Sequence, residues 1–188
     1  MEAYVRGGVC WPTYVEPVDP VSADDPQGGD YKGFIILAGQ DVKTKKVHVF
    51  EQREFSTVDN VLDNGLIAFQ GIVDFLNTGW STYFCRKYFW NQPDESTKRY
   101  RLDVVRLNTI TPKPSFIEAP WADGLDARAI VAKFAKFGWL AIDKDSILAD
   151  EILQAGYDEK EALKTRPAIH ALQCLLSGID RWPWRDIT

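Results

Sequence analysis

Carboxylates beside apolar strands are the side chains in this sequence best placed to do chemistry. Glu118 stands in the run Phe116-Ile117-Glu118-Ala119, and Asp19 stands in Val18-Asp19-Pro20, just after a short candidate strand. The apolar run predicts that Glu118 is largely buried. A buried carboxylate is costly unless it is paired, hydrogen-bonded or bound to a metal. Two or three converging carboxylates are the hard oxygen ligands that hold Mg2+ or Mn2+, and such metals activate water and stabilise the leaving oxygen of a phosphodiester. Asp19 and Glu118 are therefore the candidate catalytic and metal-ligating residues, with Asp30 or Asp103 as a further ligand. The competing reading is a turn residue before Pro20 and an acid that faces solvent or pairs with an arginine.

A phosphodiester substrate needs a cationic track. Residues 86–113 hold Arg86, Lys87, Lys98, Arg99, Arg101, Arg106 and Lys113 against Asp94, Glu95 and Asp103. Tyr88, Phe89, Trp90 and Tyr100 are interleaved among them, the mixture that follows a nucleic-acid backbone and stacks on bases. Residues 1–30 are the opposite, with six acids against Arg6 alone. The net charge of −5 argues against a dedicated nucleic-acid binder, and a solvated surface explains the same basic stretch.

Other chemistries lack their signatures. There is no Gly-rich phosphate loop, no GxGxxG and no nucleophile elbow around Ser22, Ser56 or Ser115, and Gly7-Gly8 and Gly28-Gly29 read as turns. With His48 and His170 the only histidines and Cys10, Cys85 and Cys174 far apart, no zinc spacing occurs.

Two families are resembled. Val18-Asp19-Pro20, then Gly29-Asp30-Tyr31-Lys32-Gly33-Phe34-Ile35-Ile36-Leu37-Ala38-Gly39 and Val47-His48-Val49-Phe50, resemble the metal-binding first strand, the Asp-Tyr loop and the next two strands of the nuclease domain of phage terminase large subunits. That family is RNase H-like, and the resemblance implies an acidic fourth strand at Phe116-Ile117-Glu118-Ala119. The family's late-helix acid has no counterpart in Arg166-Pro167-Ala168-Ile169-His170-Ala171-Leu172. Leu102-Asp103-Val104-Val105 followed by Phe116-Ile117-Glu118-Ala119-Pro120 also resembles the Asp…Glu-x-Lys hairpin of restriction-endonuclease-like proteins. Pro120 stands where that pattern has Lys, and Lys133 or Lys136 would have to replace it. Both resemblances imply a Mg2+- or Mn2+-dependent endonuclease acting on DNA, and Glu118 is common to both.

The elements that would position these residues follow from periodicity. Thr13–Val18 is a short candidate strand among prolines. Tyr31–Val42 and Lys45–Phe55 read as paired strands, the first apolar on both faces, the second with Val47, Val49 and Glu51 on one face. Asn64-Gly65 suits a hairpin between 58–62 and 66–70. Ile72, Phe75, Leu76, Trp80, Tyr83, Phe84 and Tyr88 recur at three and four, which predicts one helix from Ile72 to Trp90. Tyr100–Leu107 and Ser115–Trp121 read as strands. Helices are predicted over Ala127–Phe137, stopped by Gly138, over a segment capped by Asp145 or Ser146 and ending near Ala155, and over Ala168–Ile179 after Pro167, with a short strand at Leu140–Ile142. The order predicts an α/β protein: one domain over 1–188, a central mixed sheet with helices packed on it, and residues 143–188 as a helical segment.

Composition sets the surroundings. At 45% hydrophobic with seven Trp, the chain carries enough apolar surface for a thick core, a partner surface, or both. Three unpatterned cysteines suit a reducing, cytoplasmic compartment, or a virion-associated protein made there. No apolar run is long enough to span a membrane, and the first residues lack a signal peptide's apolar stretch. A non-catalytic subunit of a larger assembly, anchored to protein partners or to its own copies through aromatics such as Trp182-Pro183-Trp184, accounts for the same features.

Overall fold

Asp41 makes the turn around which the sheet is built. Its carboxylate accepts hydrogen bonds from the N–H groups of Lys43 (2.8 Å) and Thr44 (3.2 Å), and these bonds hold its carboxyl below the usual carboxylate range. Lys45, at φ 61°, closes the turn, and its N–H donates to the Asp41 carbonyl. The hairpin expected here is present: β2 (Lys32–Asp41) pairs antiparallel with β3 (Val47–Ser56). The computed structural model describes residues 3–11, 32–41, 43–56, 70–91, 95–107, 112–119, 127–154 and 166–181.

The remaining elements are β1 (Ala3–Cys10), α1 (Gln70–Tyr83), β4 (Lys87–Trp90), α2 (Glu95–Leu107), β5 (Ser115–Glu118), α3 (Ala127–Lys136), β6 (Leu140–Ala141), α4 (Ile147–Gln154) and α5 (Pro167–Arg181). They form an α/β structure whose six-stranded mixed sheet runs β5-β4-β1-β2-β3-β6. Only β2 runs against the others, because β1/β4, β4/β5 and β3/β6 are parallel pairs. Each side of the sheet carries its own core. Ile35 and Leu37 of β2 face a layer that holds Ile72, Phe75 and Leu76 of α1 and Val104 of α2. Phe34, Ile36 and Ala38 face Leu172, Leu175 and Leu176 of α5, with Phe134 of α3 and Leu148 of α4. The late helix is thus part of the main core, lying against β1, β2 and β4.

Several expectations need correction. Residues 3–10 are a central strand, so Gly7 and Gly8 are not turn residues. A side chain at Gly7 would collide with the Tyr88 ring, its partner across β4, and one at Gly8 with the backbone of α5. The two glycines thin the strand on opposite faces. The helix expected over 72–90 stops at Tyr83, because Phe84 takes a left-handed φ of 55° and the Cys85 N–H turns back to the Gly79 carbonyl. Tyr88, Phe89 and Trp90 then form a strand buried on both faces, whose run continued the helical spacing by coincidence. Tyr100–Leu107 is helical: Tyr100 and Val104, four apart, make one inward stripe. That helix is what allows β4 and β5 to lie parallel. Finally, a register shift at Leu37/Ala38 bulges β3, so Val47 and Val49 point to the α5 side while Glu51 meets the Tyr83 hydroxyl of α1 at 3.2 Å.

The later elements match their signals. Gly138 (φ 65°) ends α3: its N–H reaches Ala135, the Trp139 N–H reaches Phe134, and the Phe134 and Trp139 rings meet edge-on at 5.9 Å. The Ser146 hydroxyl accepts from the Ala149 N–H as the cap of α4. Thr13–Val18, the Asn64-Gly65 hairpin and the tail beyond Arg181 lie outside the described residues.

Candidate functional site at the carboxyl ends of the parallel strands

In sheets of this kind, ligand sites form where parallel strands end and their loops diverge. Here β1 ends at Cys10, β4 at Trp90 and β5 at Glu118, and α5 begins beside them. Apart from Glu118, the described side chains discussed here are neutral and already engaged. Asn91 is buried, and its Nδ2 donates to the Ala119 carbonyl at 3.0 Å. The Ala119 N–H donates in turn to the Trp90 carbonyl. His170, on the first turns of α5, lies 3.0 Å through Nε2 from the Asn91 carbonyl. A carbonyl can only accept, so Nε2 carries the proton. Burial drives the His170 pKa down, against the smaller opposing effect of that bond, and keeps the ring neutral. Cys10 and Cys174 are fully buried on the same side, and burial pushes both thiols up, away from the reactive thiolate.

One carboxylate does reach this end of α5, from an unexpected element. Glu151 of α4 accepts the Ile169 N–H at 3.0 Å, while Arg166 ties the two helices by donating to the carbonyls of Glu151 and Gln154. Partial burial raises the Glu151 pKa despite the backbone N–H groups and Arg166, which lower it. It acts as a cap for the helix, a role usually filled by a residue at the helix start. No spacing rule links position 151 to position 169, so sequence reading had no means to find it.

Of the acids singled out from sequence, only Glu118 has a described side chain. Glu118 is exposed, not buried, because β5 is an edge strand of four residues. Its parity with Phe116 turns it toward the α1/α2 side, opposite to Cys10 and His170. Asp19 and Asp30 lie outside the described residues, and so does the side chain of Asp103, whose backbone belongs to α2. The first strand of the sheet, Ala3–Cys10, contains no acid. Of the basic residues, Arg86 precedes β4 and lies over Trp80 at 5.6 Å; Lys87 opens β4. Lys98, Arg99, Arg101 and Arg106 ride on α2, with Arg106 exposed in its last turn. Arg101 turns inward over Trp90 at 4.9 Å. Tyr88, Phe89 and Trp90 are buried, so they offer no ring faces to bases.

These groups do not suit the Mg2+ or Mn2+ that both resemblances imply. Hard cations take carboxylate and carbonyl oxygens, whereas the buried side chains described at this end are protonated thiols and an amide beside a neutral imidazole. The two described carboxylates are set apart, Glu118 on the opposite face of the sheet and Glu151 engaged by the Ile169 N–H. Among the described residues, no three His, Cys, Asp or Glu side chains converge.

The buried imidazole has a measurable consequence. Its folded pKa lies below the ordinary 6.5, so the unfolded chain takes up a proton that the folded chain refuses. This contribution to stability is complete above the ordinary value and is lost as pH falls from there toward the folded pKa. Between about pH 7.5 and about pH 5.5, the drop in urea midpoint should be smaller for His170→Gln than for the parent chain. Equal drops would show that His170 protonates as freely in the fold as in the open chain.

No helix among the described residues is long and apolar enough to cross a membrane. No protein-family model matches the chain, and no curated protein matches it.

Proposed function

We propose that this protein is a non-catalytic binding domain on a nuclease-like α/β scaffold, working as a subunit of a larger assembly. The strand order β3-β2-β1-β4-β5, with only β2 reversed, is compatible with the RNase H-like arrangement implied by the terminase resemblance. The observation that carries the reading is the chemistry at the carboxyl ends of β1 and β4. Among the described residues, the buried Cys10, Asn91 and Cys174 and the half-buried His170 line that end with groups that are neutral near pH 7. A phosphodiesterase of this class needs ionised oxygen ligands facing an open pocket there.

The test is cleavage of supercoiled plasmid and of single-stranded DNA with Mg2+ or Mn2+. The expected result is no cleavage by the parent chain above that of Glu118→Ala. Metal-dependent cleavage that disappears in Glu118→Ala or in Asp19→Ala would overturn the proposal and restore a working nuclease centre.

A further inference from the structure

The β2–β3 turn and the α3–β6 turn meet at one corner of the molecule. The Val47 N–H donates to the Trp139 carbonyl at 2.6 Å, which locks the two turns together. Phe137 and Trp139 stack there, 4.7 Å between centroids and 23° between planes. Trp139 is half-buried beneath Lys45, whose ammonium sits 5.8 Å from the ring centroid, but Phe137 is 56% exposed. Lys43 and Lys46 flank Lys45 on the hairpin, and Lys136 precedes Phe137 on the helix. Of the acids nearby in sequence or bonded to α3, Asp41 holds the turn and Asp180 is bonded to Lys133, while Asp143 and Asp145 follow the far end of β6. A net negative chain thus places four lysines on the two segments that carry this aromatic pair, one of them over the Trp139 ring.

We propose that this corner binds single-stranded nucleic acid, one base stacking on Phe137 and the adjacent phosphates lying against Lys43, Lys45, Lys46 and Lys136. The idea rests on the binding role proposed above and supplies its ligand. An exposed phenyl ring already stacked on a tryptophan is rigid, and a base laid on it extends the stack. Base–aromatic stacking is sequence-tolerant and strong enough to matter beside phosphate contacts. A duplex fits less well, because its bases are covered by their own neighbours. An acidic protein segment would match the lysines but would gain little from the flat ring. The site lies at the β3/β6 side of the sheet, apart from the basic stretch 86–113 on β4 and α2.

The experiment is fluorescence anisotropy of a labelled oligo(dT) strand, in EDTA and over a range of salt, with the full chain. Phe137→Ala should weaken binding by about tenfold, in keeping with one lost stacked base. Lys43→Glu with Lys136→Glu should weaken it further and flatten the dependence of log affinity on log salt by at least about one unit. All three positions lie on turns or a helix end, so thermal midpoints should stay near the parent value and confirm folding. Failure of the parent chain to bind, or equal affinity in Phe137→Ala, would overturn the proposal. So would a dimer in sizing chromatography that Phe137→Ala converts to monomer, since a second copy would then be the occupant. Because binding is read without metal, a nuclease activity found in the separate cleavage assay would overturn the non-catalytic reading and leave this result distinguishable from it.

Discussion

Gly8→Ala is expected to cost about 3 kcal/mol or more, the upper range for forcing atoms into a packed core. A methyl group built at Gly8 would lie 2.1 Å from the Ala171 carbonyl oxygen and 2.9 Å from the Leu175 Cβ. The first of these is helix backbone, which cannot rotate aside as a side-chain tip can. Relief requires α5 to lift from the sheet, and α5 carries Leu172, Leu175 and Leu176 into the core. Globular domains hold only about 5 to 15 kcal/mol in all, so one methyl group removes a large share. The control is Gly71→Ala, in the first turn of α1. A Cβ there would meet only the end of Arg53, at 4.0 Å. Relief of glycine's backbone entropy should then stabilise the protein by about 0.5 to 1 kcal/mol. Urea denaturation of both variants checks the pair. A Gly8→Ala midpoint equal to the parent's would mean that α5 does not ride directly on β1.

The same glycine shows why part of the fold was legible in sequence and part was not. Strand β2 announces itself because it is apolar on both faces, and its hairpin partner follows from the turn at Asp41. The caps Ser146 and Gly138 are local signals with local causes, and both act as their residue types suggest. Gly7-Gly8 is a local signal with a distant cause. The pair imitates a turn, but it is selected by Tyr88 and Ala171, far along the chain. Residues 84–90 fail for a related reason: the three-and-four spacing runs unbroken from α1 into β4, and the left-handed Phe84 divides them. Phe84 is also 74% exposed, so neither its conformation nor its burial follows from its residue type.

The candidate site was less legible than the fold. Glu118 drew attention because a carboxylate in an apolar run should be buried. That inference assumes an interior strand, and an edge strand with one wet face removes it. The groups that fill the carboxyl end, Cys10, Asn91 and His170, sit about 80 residues apart in sequence and belong to no spacing pattern. They become a unit only once β1, β4 and α5 are assembled.

Trp11→Ala is expected to cost about 3 to 5 kcal/mol, the usual range for truncating a large buried aromatic. Trp11 follows β1, the third strand of the sheet, yet its ring touches strands two places away on either side. It meets Phe55 of β3 at 6.1 Å and Phe116 of β5 at 5.3 Å, both edge-on. Phe116 in turn meets Tyr88 at 5.8 Å. One indole therefore pins the short edge strand to the middle of the sheet. Its removal should lower the urea midpoint and leave a cavity lined by Phe55 and Phe116. Apolar cavities of this kind stay dry and accept small aromatics, so added indole should recover part of the lost midpoint. A loss under about 1 kcal/mol would show that the surroundings collapse to fill the space. The position matters for function as well. Trp11 covers the α1/α2 side of the end of β1, and Cys10 with α5 covers the other. A hydrolytic metal centre needs that end open to water and lined with oxygen. Among the described residues both sides of that end are packed with buried, largely apolar groups, which is the packing expected if the non-catalytic reading proposed above holds.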